Sequence, residues 1–239
     1  YHGGDLQGIT QQLDYIKDMG TTAIWLTPSF KNKPVQGGPG QESAGYHGYW
    51  ITDFTQIDPH LGTNADMKAL IAAAHAKGMK VFFDIITNHT ADVIDYEEKQ
   101  YTYRSKKAYP YEDAAGEPFD DRDYVSKPAA EWPELDAGSF PYTPFLHEGD
   151  EDAKTPAWLN DPLLYHNRGN SEWKGESTTY GDFSGLDDLA TENPRVVAGF
   201  IEIFGSWIDR FGVDGFRIDT AKHVNPEFWQ AFVPAMLAK

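Results

Sequence analysis

The chain has 239 residues, of which 40% are hydrophobic and 14% aromatic, so it can form a sizeable core and is not disordered as a whole. Its 37 acidic against 20 basic residues give a formal net charge of −17, which would repel a phosphate backbone and excludes nucleic acid as a partner. The lack of cysteine excludes disulfides, thiolate metal sites and cysteine nucleophiles, and no apolar run approaches the ~18 residues of a membrane span.

The chain opens with YHGGDL, without an initiator methionine or a signal-peptide pattern, so we interpret it as a processed or excised piece. After this opening, one unit recurs three times: an amphipathic helix, a glycine just past its end, and a short apolar strand. In the first unit the helical stripe is Ile9, Leu13 and Ile16, the glycine is Gly20, and the strand is TTAIWLTP.

The second unit starts with Thr63 or Asn64 as a helix cap and ends with Gly78 and the segment KVFFDIITNH. Its helical stripe consists of Met67, Leu70, Ile71 and Ala74. The third unit starts with the cap Asn193 and Pro194 and ends with Gly212 and VDGFRID. Its stripe consists of Val197, Ile201, Phe204, Ile208 and Phe211. A fourth helix is predicted to begin near Pro226.

Alternating helices and near-continuous apolar strands predict an α/β fold with a parallel sheet covered on both faces. A doubly wound sheet and a β/α barrel both satisfy this pattern, and both place their sites at the carboxyl ends of the strands. Polar residues follow each predicted strand at that end, and a barrel gathers such residues from several strands, so we favour the barrel. The residues concerned are Thr27, Asn88, His89 and Asp219.

Residues 90–192 interrupt the repeat and are rich in Tyr, Pro, Asp and Gly. A bare loop of this length is uncommon, so the segment predicts a small irregular subdomain or lid. Without it, too few residues remain for the roughly 250 of a closed eight-unit barrel. The sequence therefore predicts a partial (β/α)8 TIM barrel, with barrel segments at 1–89 and 193–239 and an insertion at 90–192.

The segment GFRIDTAKH carries two charges on one face of a predicted strand. Residues two apart project from the same side, so Arg217 and Asp219 would face inward together. Asp84 lies inward on the neighbouring predicted strand and can pair with Arg217, because a matched buried pair costs less than a single charge. Asp219 is then the carboxylate left to react, although the three could also form an inert core network. The cluster of His89, Lys222 and His223 at the same rim favours a functional site.

Four motifs in order resemble those of the α-amylase family, glycoside hydrolase family thirteen. FFDIITNH and GFRIDTAKH resemble its first two signature segments, AGYHGYWITDF at residues 44–54 resembles its aromatic loop, and GLDDL at residues 185–189 is similar to its short metal-site signature. The resemblance implies strands two to four of the barrel, with residues 90–192 as the family's domain B after the third strand. It also implies a hydrolase that cleaves α-1,4-glucans such as starch and maltooligosaccharides with retention.

The resemblance assigns roles residue by residue. Asp219 matches the nucleophile, and Arg217 the arginine that keeps this carboxylate ionised and oriented, which agrees with the effect of a positive charge on a neighbouring carboxyl. His89 matches a histidine that hydrogen-bonds the sugar, and Tyr49 the ring stacked under it. Lys222 and His223 match residues on the leaving-group side. His47 and Trp50 flank Tyr49 and either line the same subsite or pack against it; the aromatic segment could also be an ordinary core turn.

The resemblance further implies a structural Ca2+ ion. Asn88 and Asp188 match its side-chain ligands, and the backbone carbonyls of His223 and Thr179 match the remaining protein ligands, a set of oxygen donors that a hard cation prefers. Asp187, next to Asp188, leaves open that this segment is an ordinary solvated turn.

The family's acid/base glutamate and a later aspartate would follow Lys239, and Glu227 does not replace the glutamate, because it starts a helix instead of lying on the next strand. The first barrel strand is also missing, so open sheet edges predict association with a complementary chain or with a second copy. Three alternatives remain: a transglycosylase of the family, a non-catalytic sugar-binding relative or inactive fragment, and a zinc hydrolase using Asp84, His89, Asp219 and His223. A neutral polysaccharide substrate and an acidic chain favour secretion over a cytoplasmic location.

Overall fold

The computed structural model describes residues 1–239, which form two compact units. Unit 1 comprises Tyr1–Ile86, Glu202–Asp219 and Lys239, and unit 2 comprises Thr87–Ile201 and Thr220–Ala238. The domain boundaries predicted from the sequence, after residues 89 and 192, stay predictions.

Six α-helices and eleven short strands make up the regular structure. The helices are α1 (Leu6–Gln11), α2 (Leu13–Asp18), α3 (Asn64–Ala76), α4 (Ser177–Tyr180), α5 (Pro194–Phe211) and α6 (Pro226–Leu237). The strands are β1 (Ala23–Leu26), β2 (Phe30–Asn32), β3 (Val35–Gln36), β4 (Ser43–Ala44), β5 (Ile51–Ile57), β6 (Lys80–Ile86), β7 (Ile94–Tyr96), β8 (Tyr111–Glu112), β9 (Pro118–Phe119), β10 (Pro144–Leu146) and β11 (Gly215–Asp219). Six 3-10 turns lie at Asp121–Asp123, Ala129–Glu131, Ala137–Ser139, Ala157–Asn160, Pro162–Leu164 and Ala221–His223.

Unit 1 is built on a parallel sheet of three strands in the order β1-β6-β11. These are the three apolar strands predicted from the repeat, and Arg217 pairs in register with Asp84. The predicted helix ends also hold, since Gly20, Gly78 and Gly212 all have the left-handed φ that favours glycine. Both β1 and β11 are edges of this sheet; association through them stays a prediction.

Two sequence interpretations in unit 1 need correction. The first predicted helix is two helices, α1 and α2, separated at Gln12, whose backbone leaves helical geometry shortly after the weak helix former Gly8. The segment 44–54 is not only an aromatic loop, because its second half begins β5, which pairs antiparallel with β2. The buried residues of β5, Ile51, Phe54 and Ile57, are three positions apart, so the strand lacks the alternation of apolar and polar residues that usually predicts one.

The core of unit 1 is an aromatic cluster. Phe30 lies at its centre, with ring centroids 5.1 Å from Trp207, 5.9 Å from Phe83 and 6.3 Å from Phe54. The indole nitrogen of Trp207 donates to the carbonyl of Phe54 at 2.9 Å, so the polar tip of this buried side chain is satisfied. Phe216 of β11 packs on Phe204 of α5, which leaves Arg217 and Asp219 on the opposite face of the strand.

Unit 2 has little regular structure, and side-chain interactions hold much of it together. Tyr96 and Tyr142 stack at 4.8 Å, and the guanidinium of Arg104 lies 4.0 Å from the Tyr142 ring. The fully buried Arg168 lies over Tyr111 at 4.0 Å and donates to two backbone carbonyls. None of the helices in either unit combines the length and apolar character needed to cross a membrane.

Candidate active site

Asp84 is the centre of a hydrogen-bond network on the parallel sheet of unit 1. It is 1% exposed and accepts from the Trp25 indole nitrogen at 3.2 Å, the Tyr49 hydroxyl at 3.2 Å and Arg217 Nη1 at 3.1 Å. Burial raises the pKa of Asp84, although Arg217 acts in the opposite direction. The three donors therefore fix a carboxylate that the apolar surroundings disfavour.

Asp219 is bound to the same arginine at the carboxyl end of β11. Arg217 Nη1 lies 2.7 Å from Asp219 Oδ1, its shortest contact in the network. The register of β6 and β11 and the alternation along β11 bring these groups onto one face. The strand is less buried than the sequence suggested, since the Arg217 side chain is 41% exposed and that of Asp219 is 23% exposed. Arg217 therefore bridges a buried acid and an accessible one.

The loop before β5 holds Tyr49 beside Asp84. The His47 ring stacks on Tyr49 at 5.7 Å and meets Trp50 edge-on at 4.5 Å, and His47 Nδ1 accepts from the Tyr49 amide at 3.0 Å. Burial lowers the pKa of His47 and, together with the charge of Asp84, raises the pKa of Tyr49. Gly48 has a φ of 82°, and a Cβ there would lie 2.2 Å from the Pro28 carbonyl oxygen, so the loop requires glycine.

His89 and Asn88 lie in unit 2 and are 2% and 3% exposed. Asn88 Nδ2 is 3.1 Å from His89 Nδ1, and the His89 ring stacks on Phe183 at 5.3 Å. His89 also forms a backbone bridge with Asp188, and the Leu189 amide donates to the Asn88 carbonyl at 2.9 Å. These contacts place the two predicted side-chain metal ligands, Asn88 and Asp188, on adjacent backbone segments.

Lys222 and His223 lie in the 3-10 turn after β11. His223 is 8% exposed, and its Nδ1 contacts the backbone carbonyl of Thr178 at 2.6 Å, next to the predicted ligand Thr179. The Trp229 indole nitrogen donates to the carbonyl of Ala221 at 3.1 Å and anchors the turn.

A buried histidine that the sequence gave no reason to single out supports Asp188. His166 Nδ1 is 2.6 Å from Asp188 Oδ2, and its Nε2 is 3.0 Å from Glu192. Burial opposes protonation of His166, but Glu192 and Asp188 raise its pKa to about 10. Burial raises the pKa of Asp188 to about 7 despite the neighbouring histidine. The predicted ligand Asp188 is thus held in place by a charged partner.

The adjacent Asp187 does not lie in a solvated turn, because it is 5% exposed. Its carboxylate accepts from the Val93 amide at 3.0 Å, the Ile94 amide at 3.1 Å and Lys154 Nζ at 2.5 Å. Lys154 is itself 2% exposed. A buried ion pair therefore fixes the segment that follows Asn88 and His89.

The predicted calcium ligands share one type of donor atom. Only oxygen atoms are offered to an ion, by the side chains of Asn88 and Asp188 and by the backbone carbonyls of Thr179 and His223. The amide nitrogen of Asn88 faces His89, and one carboxylate oxygen of Asp188 contacts His166. This chemistry fits a hard cation. No group of three or more His, Asp or Glu side chains is arranged to hold a metal ion.

Sequence reasoning missed two residues that support the unit 1 site. Trp25 donates to Asp84, and its ring lies 5.2 Å from the Arg217 guanidinium. An aromatic side chain with a hydrogen-bond donor in an otherwise aliphatic strand was the feature of the sequence that could have indicated this role. Asn32 is 5% exposed and binds the amide of Trp50 at 2.6 Å and the carbonyl of Gly45 at 2.5 Å. No sequence pattern distinguishes Asn32 from an ordinary loop asparagine.

The fold is a parallel β/α sheet with an arginine-bound aspartate at the carboxyl end of one strand, the place where β/α-barrel enzymes carry their active sites. Residues 2–232 match the protein-family model described as alpha amylase, catalytic domain. The chain therefore belongs to the alpha-amylase family, as the four motifs predicted.

Two relatives agree with this assignment. The chain is 61% identical over 236 residues to an alpha-amylase of Streptomyces lividans, covering 99% of this chain and 26% of that protein. It is 31% identical over 237 residues to a cyclomaltodextrin glucanotransferase of Geobacillus stearothermophilus, covering 96% of this chain and 27% of that protein.

Among solved structures, an alpha-amylase of Geobacillus thermoleovorans complexed with acarbose matches 100% of this chain and 39% of its own, with 34% identity and a TM-score of 0.63. The chain thus spans well under half of the proteins it resembles. The predicted partial TIM barrel of the alpha-amylase catalytic domain is confirmed.

Proposed function

We propose that the protein carrying this chain is a glycoside hydrolase that cleaves α-1,4-glucans, starch and maltooligosaccharides, with retention, and that Asp219 is the nucleophile. The observation that carries the proposal is the chain of contacts from buried Asp84 through Arg217 to accessible Asp219. Relatives named alpha-amylase and cyclomaltodextrin glucanotransferase support the substrate class.

In this proposal Asp219 attacks the anomeric carbon while the glycosidic bond breaks and the leaving oxygen takes a proton from an acid/base carboxyl. Water then hydrolyses the covalent glycosyl-enzyme, returns a proton to that carboxyl and releases Asp219. Arg217 keeps the attacking carboxylate ionised and oriented, while Asp84, Trp25 and Tyr49 keep Arg217 in place. The Tyr49 ring packs under the sugar whose bond is cleaved, with His47 and Trp50 supporting it. His89, Lys222 and His223 bind sugar hydroxyls.

The acid/base carboxyl is proposed to come from outside these 239 residues. Glu227 is unsuited to the role, because its bond to Arg122 at 2.6 Å lowers its pKa to about 2. A general acid needs a pKa near the working pH, which requires an environment of the opposite kind. Residues 90–192 are proposed to form domain B of the same catalytic domain.

Asp219→Asn in the intact enzyme tests the nucleophile, with Asp53→Asn on β5 as the control. Starch hydrolysis should fall by several orders of magnitude in the first variant and stay unchanged in the second. In Asp219→Gly, azide should restore cleavage of 4-nitrophenyl α-maltoside and yield the β-maltosyl azide, since azide takes the place of the missing carboxylate. Starch hydrolysis at the wild-type rate by Asp219→Asn would refute the proposal.

A transglycosylase is the second candidate, favoured by the glucanotransferase relative. It would use the same nucleophile but pass the glycosyl unit to a sugar hydroxyl. Incubation with maltotriose separates the two: predominant glucose and maltose identify the hydrolase, and longer or cyclic glucans identify the transferase. Sugar binding without any product would identify a non-catalytic relative.

We also propose that Ca2+ binds Asn88, Asp188 and the carbonyls of Thr179 and His223. The ion would supply a fixed positive charge that joins these segments of unit 2. Removal of Ca2+ with EDTA should lower the melting temperature, and Ca2+ but not Zn2+ should restore it. Asp188→Asn should weaken this response, whereas the exposed-site control Asp161→Asn should not; a melting temperature insensitive to EDTA would contradict the proposal.

A further inference from the structure

Thr220, the residue that directly follows Asp219, has a backbone conformation that the proposed mechanism does not use. Its φ of 51° and ψ of 23° are left-handed. A threonine is branched at Cβ and adopts this conformation only under strain. We propose that Thr220 is a positioning residue, whose strained backbone fixes the end of β11 and thereby the direction of the Asp219 carboxylate. The inference rests on the proposed function, because it takes Asp219 as the nucleophile.

Glycine occupies most of the left-handed positions in this chain. Thirteen glycines have a positive φ, against six residues of other types. Thr220 is the only one of these six that is branched at Cβ, the others being Lys99, Ser126, Asn167, Trp173 and Ser184. Glycine would adopt the conformation of Thr220 without strain, but it would also give the backbone a much wider range of φ and ψ. The threonine therefore narrows the conformations open to the residue next to the nucleophile.

The hydroxyl group of Thr220 gives no other reason for a threonine at this position. Its Oγ1 is buried and makes no hydrogen bond, and it does not cap the 3-10 turn Ala221–His223 that follows. A buried hydroxyl without a partner costs stability instead of adding to it. The backbone conformation is therefore the feature of Thr220 that a role must explain.

The 3-10 turn holds the strained backbone in place. The amide of His223 donates to the Thr220 carbonyl at 2.9 Å, and the Trp229 indole nitrogen donates to the Ala221 carbonyl at 3.1 Å. His223 Nδ1 in turn contacts the Thr178 carbonyl at 2.6 Å. Backbone strain persists only where surrounding contacts of this kind over-determine it, and it is concentrated at functional sites.

The carboxylate of Asp219 depends on this backbone for its direction. Arg217 binds it through one oxygen, Oδ1, at 2.7 Å, and 23% of the Asp219 side chain is exposed. A carboxylate bound through one oxygen follows any shift of its own backbone, and a misplacement of about 1 Å can lower a reaction rate about 100-fold. A fixed backbone on the carboxyl side of Asp219 therefore keeps the nucleophile aligned with the anomeric carbon.

The test uses the intact enzyme with Thr220→Gly, Thr220→Val and the control Ser126→Gly. Thr220→Gly frees the backbone, so kcat for maltoheptaose should fall at least about ten-fold while KM changes less than about two-fold. Thr220→Val keeps the branched shape and loses only the unpaired hydroxyl, so it should keep the parental kcat and melt at no lower a temperature. Ser126→Gly relaxes another left-handed residue, with a φ of 67°, and should leave kcat and KM unchanged.

Maltoheptaose affinity in an Asp219→Asn background provides a second readout if Thr220→Gly folds poorly. Calorimetry should give the same Kd with and without Thr220→Gly, and its stoichiometry gives the folded fraction to which kcat is referred. A parental kcat in Thr220→Gly, a weaker affinity in that variant or an equal loss of kcat in Thr220→Val would overturn the inference, while inactivity of Asp219→Asn would leave the proposed function intact. Starch hydrolysis at the wild-type rate by Asp219→Asn would overturn both.

Discussion

Replacement of Lys154 by methionine should destabilise unit 2 strongly. Lys154 is 2% exposed and lies 2.5 Å from Asp187 and 3.1 Å from the Tyr165 hydroxyl. Burial opposes its charge, but Asp187 and Tyr165 raise its pKa, so the lysine is protonated. Methionine has a similar shape but no charge, and it would leave the buried Asp187 carboxylate with only the two backbone amides as partners.

Breaking a buried ion pair from one side costs about 3–5 kcal/mol, because the remaining charge is left without compensation. For a chain of this length each kcal/mol lowers the melting temperature by about 2–4 °C, so the decrease should be about 6–20 °C. Adding Asp187→Asn removes the stranded charge but keeps an oxygen that accepts from the two amides. The double variant should therefore be more stable than Lys154→Met alone.

Urea unfolding and thermal melts followed by circular dichroism would measure these differences. Lys174→Met is the matched control, because this lysine is 78% exposed and its ion pair with Glu172 is long, at 3.6 Å. Its replacement should change the free energy of unfolding by no more than about 0.5 kcal/mol. If Lys154→Met cost no more than the control, or if the double variant were less stable than Lys154→Met, the buried pair would not carry the stabilisation assigned to it.

Three further predictions concern unit 1. Gly48→Ala should lower both stability and kcat/KM, because the new methyl group would lie 2.2 Å from a carbonyl oxygen. The control Gly149→Ala in unit 2 has a similar left-handed φ of 91° but open space around it, so it should lower stability alone. Equal effects of the two variants on activity would argue against the role of the Gly48 loop. Burial raises the pKa of Asp214, but hydrogen bonds from His75 and the Val81 amide lower it further, so that it lies below the unfolded value of about 3.9. The stabilisation by this carboxylate is therefore present above about pH 3.9 and is lost as the pH falls through the folded pKa, so Asp214→Asn should cost stability at pH 7 and much less near pH 3. A cost that does not change with pH in chemical unfolding would contradict this. Tyr49→Phe removes one donor to Asp84 but keeps the ring, so kcat should fall several-fold with little change in KM, and a rise in KM alone would show that the hydroxyl binds substrate instead.

Much of the candidate site in unit 1 was predictable because it depends on strand periodicity. Arg217 and Asp219 are two apart, and side chains two apart share a face in any strand. Asp84 occupies the matching position on a neighbouring strand of the same parallel sheet, which the repeat of helix, glycine and strand already indicated. Local rules were therefore sufficient to bring the three charges together.

The supporting residues of unit 2 were not predictable in this way. His166 and Lys154 lie in a segment without periodicity, and their partners Asp188 and Asp187 are 22 and 33 positions away. No local rule relates such positions, because irregular backbone places each side chain individually. The burial of Asp187 was for the same reason invisible in the sequence GLDDL.

The sequence by itself determined the alternation of helix and strand, the parallel sheet and the face shared by Arg217 and Asp219, because these follow from spacing along the chain. The resemblance of four motifs to known signatures indicated the family. Only the tertiary structure decided that Arg217 is half exposed, that Trp25 completes the shell of Asp84, and that buried ion pairs hold the insertion. Burial and pairing of charges depend on which distant segments surround a residue, and that information exists only in the folded chain.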